Sequence, residues 1–217
     1  MTQPEDVIPA RSIAGASADA PLVVLASQSA ARQRMLRDAG VAVVADKAGV
    51  DEDGVKGSLA ADGASPDEVA EALAEMKAKR ISPRYEKALV IGADQMLECE
   101  GTWFDKPDSR DAAKATLRRL SGRTHRLIVS AVVVKDGGRI WHRTDAAQLT
   151  MRPLSERFLD SYLDAVGSDA LHSVGGYQLE GLGAQLFTRV AGDYFTVLGL
   201  PLLPLLGFLR EHKVIPT

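Results

Sequence analysis

Val90-Ile91-Gly92-Ala93-Asp94-Gln95 is an apolar run that meets a carboxylate. A buried strand fills both faces with apolar side chains, and an ionised Asp at its end is costly unless something there uses it. In open α/β sheets, ligands sit in the crevice outside the carboxyl ends of the strands, where an acid can meet a metal ion or a water. Asp94 is therefore read as a chemical residue at a strand end; its architectural alternative is to cap the turn leaving that strand. A second candidate is Ser27-Gln28-Ser29-Ala30-Ala31-Arg32. Small hydroxyl residues at a helix start leave backbone N–H groups for an anion, and the helix dipole adds positive potential. Arg32 in the first turn offers forked donors to phosphate oxygens. The same residues would equally make an ordinary serine-capped helix with a solvated arginine.

Two further segments could bear chemistry. In Lys106-Pro107 the proline fixes the local backbone and can aim Lys106 into a crevice; the plainer reading is a surface lysine. Gly175-Gly176-Tyr177-Gln178-Leu179-Glu180-Gly181-Leu182-Gly183 places four glycines in nine residues, which permits tight turns and close backbone approach to a ligand. Tyr177 is read as a ring that could stack on a base, and Glu180 as an acceptor for the base edge. The spacing is not the dinucleotide fingerprint, and no Walker lysine follows.

The elements that must position these residues alternate between strand and helix signals. Leu22 to Ala26 predicts a first buried strand, and Ala30 to Ala39 a helix ended by Gly40. Val41 to Val44 predicts a second strand, followed by an acidic, Gly-rich loop from Asp46 to Gly63. Ser65-Pro66-Asp67-Glu68 caps a helix running to about Ile81. Ala88 to Gly92 is the strand behind Asp94. Asp111 to Leu120 predicts an amphipathic helix closed by Ser121-Gly122. Leu127 to Val134 and Arg139 to His142 predict a hairpin around Asp136-Gly137-Gly138. Ala147 to Met151 reads as another strand, and Leu154 to Val166 as a helix. Gln185 to Val190 and Tyr194 to Val197 frame a turn, and a last helix begins after Pro201.

Composition sets outer bounds. A chain of 217 residues with 46% hydrophobic and 25% charged residues is ordinary for a soluble globular protein. A net charge of −3 gives no field favouring a nucleic-acid polymer, although a local basic pocket for a small phosphate ligand is compatible with it. The one cysteine, Cys99, excludes an internal disulfide framework, fits a reducing cytosol and is read as a structural thiol. Residues 1–20 have acids at Glu5 and Asp6 and no long apolar centre, so they read as a flexible tail and not a signal peptide. The apolar stretch Val197 to Leu209 contains Pro201 and Pro204 and is too short to span a membrane. The expectation is a cytoplasmic protein with a single domain over residues 21–217.

In order, LASQSAARQRML, VDE at Val50 to Glu52, ALAEMKA, IGADQ, DKP, LSGRTH, GGYQLEGLGA and GDYFTVLGLPL resemble the Maf family of nucleoside triphosphate pyrophosphatases. The resemblance covers Leu22 to about Leu209. It implies a mixed, twisted α/β sheet with flanking helices in an elongated, two-lobed body with a central cleft, similar to the inosine triphosphate pyrophosphatases. It also implies hydrolysis between the α and β phosphates, with a divalent metal, Mg²⁺ or Mn²⁺, and a homodimeric state. Carried over residue by residue, Asp94 matches the acid that activates the attacking water. Arg32 matches the phosphate-binding arginine of the serine-rich loop that includes Ser27 and Ser29. Glu52, Lys77 and Lys106 match positions lining the same cleft, with Glu52 and Asp94 as metal ligands. Mg²⁺ favours carboxylate and phosphate oxygens and would neutralise charge on the leaving pyrophosphate.

Two departures bear on the base. Ala30 and Ala31 stand where the family commonly has proline and a larger residue, which leaves less side chain at the mouth of the loop. Gln95 replaces the threonine usual in the branch acting on dTTP and UTP. Gln95 with Glu180 resembles the branch acting on 7-methyl-GTP, whereas Gly175-Gly176-Tyr177 resembles the dTTP/UTP branch. Ala31, Gln95 and Glu180 are therefore the expected specificity positions. The favoured activity is a house-cleaning pyrophosphatase. A non-catalytic nucleotide-binding regulator of cell division would bind triphosphate without forming product, and a sugar-phosphate or monophosphate phosphatase would release orthophosphate. His125 is read as a positioning or core residue, Trp103 and Trp141 as packing aromatics, and Leu200-Pro201-Leu202 as core and helix start.

Overall fold

The computed structural model describes residues 7–8 and 20–217. The expected tail lies outside the described residues apart from Val7, Ile8 and Ala20. The elements are β1 (Val7–Ile8), β2 (Val23–Leu25), α1 (Ala30–Asp38), β3 (Val43–Ala45), α2 (Glu52–Ala61), α3 (Pro66–Ile81), β4 (Leu89–Cys99) and β5 (Thr102–Phe104). They continue with α4 (Arg110–Leu120), β6 (Thr124–Lys135), β7 (Gly138–Met151), α5 (Glu156–Val166), β8 (Phe187–Ala191), α6 (Tyr194–Leu198) and α7 (Leu202–Glu211). The strands are hydrogen-bonded in the order β1-β3-β2-β4-β6-β7-β8, with β5 on β4. This is a mixed α/β fold: β2 runs parallel to β3 and β4, whereas β1 is antiparallel to β3 and β8 to β7.

The chain divides into two compact units. Of the described residues, the first comprises 7–8, 20–94, 129–145 and 199–217; the second comprises 95–128 and 146–198. In the first, the register pairs Val24 with Val44 and with Val90. Its apolar core runs through Val24, Val44, Val90 and Val132 to Ala74, Ala78 and Ile81 of α3. Gly92 decides how α3 meets β4. A Cβ there would overlap the Ala74 carbonyl oxygen and stand 2.8 Å from the Ala78 nitrogen. Helix backbone and strand backbone therefore touch, and Ala70, Ala74 and Ala78, all buried, recur every fourth residue of α3. In the second unit, Leu97, Phe104, Leu117, Leu149, Leu159 and Tyr162 are among the residues of one continuous core.

Most elements follow the sequence reading, with four corrections. The strand behind Asp94 does not stop there: β4 continues to Cys99, and Leu97, Glu98 and Cys99 pair with Phe104, Trp103 and Thr102. Ladder hydrogen bonds are made by the backbone and are indifferent to one carboxylate. Met96 and Leu97 then restore the apolar pattern. Asp94 is thus a mid-strand residue, and the turn-capping alternative falls with the strand end. Residues 52–61 of the expected acidic loop form α2, whose N-cap Asp51 accepts a hydrogen bond from Gly54 N at 3.2 Å. Residues 139–142 and 147–151 belong to one strand, β7. The segment after Gly192 is helical, because Asp193 Oδ1 accepts from Thr196 N at 3.1 Å and caps α6.

Candidate active site

Within the first unit, Arg32, Glu52, Lys77 and Asp94 are linked by contacts through Lys77 and the backbone beside Asp94. Lys77 lies on the core face of α3 and is 7% exposed. Its ammonium donates to Asp94 Oδ1 at 2.7 Å and pairs with Glu52 Oε1 at 2.8 Å. A buried ammonium is tolerated when it is paired, and two carboxylates satisfy it here. The close approach at Gly92 puts α3 near enough to β4 for this lysine to reach a carboxylate two residues further along the strand. Asp94 is 4% exposed, and its Oδ2 has no hydrogen-bond partner among the described residues. A buried carboxylate oxygen without a donor costs free energy in the folded protein. An oxygen in that state is available to a ligand or a water.

Arg32 sits in the first turn of α1, after the N-cap Ser29. Its Nε donates to the Gly199 carbonyl at 2.9 Å, and its Nη1 donates to the Ala93 carbonyl at 2.9 Å and to Ser27 Oγ at 3.3 Å. Arg32 is therefore no solvated surface residue. It clamps the backbone immediately before Asp94, and no hydrogen bond of Nη2 is found among the described residues. Burial draws its guanidinium below the ordinary value, while Asp94 and Glu52 pull it back up. The two serines are partly engaged within the loop. Ser27 Oγ accepts from Ser29 N at 3.2 Å, and Ser29 Oγ accepts from Arg32 N at 3.4 Å. Their O–H groups and the first helical N–H groups, at Ala30 and the half-buried Ala31, are donors of the kind that an anion takes at a helix start.

Lys106, Gln95 and Glu180 belong to the second unit. Lys106 is exposed on the segment between β5 and α4, beside the buried Pro107. Gln95 follows Asp94 on β4, and its Nε2 donates to the carbonyls of Val197 at 3.0 Å and Thr196 at 3.3 Å. Those two bonds orient the amide, so Oε1 is its remaining hydrogen-bonding atom and acts as an acceptor. Glu180 is exposed on the glycine-rich segment. Tyr177 overturns the stacking expectation. It is 4% exposed, with its ring edge-on to Phe187 at 4.9 Å and its hydroxyl 2.6 Å from His125 Nε2. Burial pushes the Tyr177 hydroxyl well above its usual value and lowers His125 to about 4, so the pair is neutral at neutral pH. Cys99 is buried, as expected of a structural thiol, and burial raises its thiol.

Sequence reading missed three contributors. Gly92 had a signal, a glycine inside an apolar strand run, which marks close backbone approach. The carbonyls of Ala93 and Gly199 had none, because a backbone acceptor leaves no mark on residue type. Helix α2, which carries Glu52, was concealed by Gly54 and Gly57. For a metal ion, no group of three or more His, Cys, Asp or Glu side chains suited to one is found among the described residues. Glu52 and Asp94 alone are hard oxygen donors of the kind Mg²⁺ takes together with substrate phosphates.

A family model described as Maf-like protein matches residues 22–212. The chain is 59% identical over 189 residues to a nucleoside triphosphate pyrophosphatase of Paramagnetospirillum magneticum, covering 87% of this chain and 97% of that protein. It is 52% identical over 193 residues to a nucleoside triphosphate pyrophosphatase of Granulibacter bethesdensis, covering 89% and 98%. It is 50% identical over 192 residues to a 7-methyl-GTP pyrophosphatase of Rhizobium etli, covering 88% and 96%.

Proposed function

The chain belongs to the Maf family, and from that premise we propose that it hydrolyses nucleoside triphosphates between the α and β phosphates, releasing nucleoside monophosphate and pyrophosphate. The observation that carries this reading is the Lys77 ammonium held between Glu52 and Asp94, with Asp94 Oδ2 left without a donor. Asp94 accepts the proton of the attacking water at Oδ2 while Lys77 holds Oδ1. Arg32, through Nη2, binds and orients phosphate oxygens, and Ser27 and Ser29 add hydroxyl donors. Lys106 is assigned to the polyphosphate by charge. Glu52 and Asp94, both against Lys77, are the carboxylates that would hold Mg²⁺ or Mn²⁺. When bound, such an ion would neutralise charge developing on the leaving pyrophosphate.

Gln95 and Glu180 favour a base whose edge donates. The Gln95 amide offers Oε1, and a carboxylate at Glu180 is acceptor only. Guanine presents N–H donors at N1 and N2, so 7-methyl-GTP or GTP is the preferred substrate over UTP and dTTP. Ala31 leaves room at the mouth of the serine loop. The enzyme acts on the free nucleotide pool of the cytoplasm as a homodimer, with no nucleic-acid polymer as partner. No helix among the described residues is long and apolar enough to cross a membrane.

The test is Asp94→Asn, assayed on a panel of common and modified triphosphates with Mg²⁺ or Mn²⁺ while reading pyrophosphate and orthophosphate separately. The variant folds and releases pyrophosphate about 10³-fold more slowly. Equal turnover rejects Asp94 as the base, and orthophosphate as the product rejects the bond cleaved.

A further inference from the structure

The segment carrying Glu180 hangs from a buried ring. Gly175 and Gly176 both have left-handed φ, 81° and 76°, and a Cβ at Gly175 would stand 2.7 Å from Leu97 Cδ1 and from the Tyr177 ring. This double turn sends Tyr177 inward, where its hydroxyl meets His125 Nε2. The backbone there is tied as well: Ser173 Oγ donates to the Tyr177 carbonyl at 2.5 Å, and the Tyr162 hydroxyl donates to the Gly176 carbonyl at 3.4 Å. Past Tyr177 the chain closes on itself. Gly181 N donates to the Gln178 carbonyl at 3.2 Å, and a Cβ at Gly183 would overlap that same oxygen. Glu180 stands on this closed turn, three residues from the anchored ring.

Packing alone does not call for a histidine and a tyrosine here. His125 is 1% exposed, and its Nδ1 has no partner among the described residues. Two apolar side chains of similar shape would fill the space without that penalty. What the O–H and N pair adds is direction, since one short buried hydrogen bond sets the depth and tilt of the ring. Nothing downstream of the ring is comparably buried until Gly183, so its position is passed on to the turn.

We propose that His125 and Tyr177 are a positioning pair that fixes the Gln178–Gly183 turn and thereby sets how strictly Glu180 selects the base. The proposal rests on the reading of Glu180 as an acceptor for the base edge. Neither member of the pair touches the nucleotide.

The test compares Tyr177→Phe, His125→Leu, His125→Gln and Glu180→Ala by the ratio of kcat/KM for 7-methyl-GTP to that for UTP. Hydrogen exchange of amides 178–183 is followed without nucleotide. Tyr177→Phe and His125→Leu are expected to lower the ratio about tenfold through KM, with kcat within about twofold, and to speed exchange in the turn. His125→Gln, whose amide can still meet the Tyr177 hydroxyl, restores both. Tyr177→Phe combined with Glu180→Ala lowers the ratio no further than Glu180→Ala alone. If folded Tyr177→Phe and His125→Leu keep the wild-type ratio and exchange, or if the double variant is additive, the positioning role is overturned. If Glu180→Ala keeps the wild-type ratio, the base-reading assignment fails instead. Exchange in the turn then still reports whether the pair orders it. Should His125→Leu fail to fold, Tyr177→Phe, which removes only the hydroxyl, carries the same comparison against His125→Gln.

Discussion

Helices α2 and α3 meet at one ammonium and reach it by opposite routes. Helix α3 is over-determined. Ser65 and Glu68 form a capping box, Pro66 starts the first turn, and Lys79 and Arg80 sit in the last. Val69, Leu73 and Ile81 bury its apolar stripe, and the backbone at Ala74 rests on Gly92. Helix α2 has no buried residue, two interior glycines and no basic residue in its last turn. Each interior glycine lowers helix stability by about 1 kcal/mol relative to alanine. Its Asp51 cap and the Glu52–Lys77 ion pair are specific ties that hold it. The contrast separates two duties: α3 builds the protein and carries Lys77 rigidly, whereas α2 contributes a carboxylate at little cost to the core. A site that must accept and release a charged ligand gains from drawing one of its groups from a weakly held element.

This contrast can be broken at several points. Gly92→Val is expected to have the largest effect, because α3 would have to leave β4. A loss on the order of 5 kcal/mol, or of folded protein altogether, should appear in thermal melting. A melting temperature near wild type would show that the backbone contact does not hold α3. Lys77→Met comes next, at about 4 kcal/mol, since Asp94 stays buried without its cation. A urea midpoint measures that loss, and pyrophosphate release should fall with it.

His125 sharpens the comparison by supplying a buried polar group outside the Lys77 cluster. Its folded value of about 4 lies below the ordinary 6.5. Between those values only the unfolded chain takes up the proton, so stability is lost as pH falls from about 6.5 toward 4, by about 3 kcal/mol in all. Melting temperatures recorded from pH 7 to 4.5 should show this acid leg, and His125→Gln should flatten it. Glu52→Gln is the smallest change for the fold. With Glu52 44% exposed, stability should move by less than about 1 kcal/mol. Pyrophosphate release should nevertheless fall about 10²-fold if Glu52 shares the metal. Activity unchanged by Glu52→Gln would remove α2 from the chemistry.

How much was readable follows the same division. Helix α3 was legible from Ser65-Pro66 to Ile81 because caps, proline and apolar spacing agree with one another. Helix α2 was not, because Gly54 and Gly57 in an acidic stretch mimic a loop, and its stability comes from a cap and a tertiary ion pair. Asp94 stood out in the sequence as a carboxylate in an apolar run and was misplaced as geometry. A carboxylate in an apolar run marks a position that needs a partner, which Lys77 supplies, but an uninterrupted backbone ladder carries the strand past it. Tyr177 failed in the other direction. Its glycine-rich flanks suggested an open ligand loop, whereas paired left-handed glycines turn the ring into the core. In the serine-rich loop the helix cap was visible, yet the destinations of the Arg32 fork were not.

By itself the sequence determined the alternation of strands and helices, the serine-capped first helix and the family to which the chain belongs. It also singled out Arg32 and Asp94, which the fold brings to one cluster. These depend on local propensity, capping and ordered motifs, all of which are written along the chain. Only the tertiary structure decided that Lys77 is the shared cation of Glu52 and Asp94, and that Arg32 clamps the carbonyls of Ala93 and Gly199. It alone buried Tyr177 against His125. Each of those contacts joins residues far apart in sequence or ends on a backbone atom common to every residue type. Burial, which sets their strength and charge state, exists only once the core has closed.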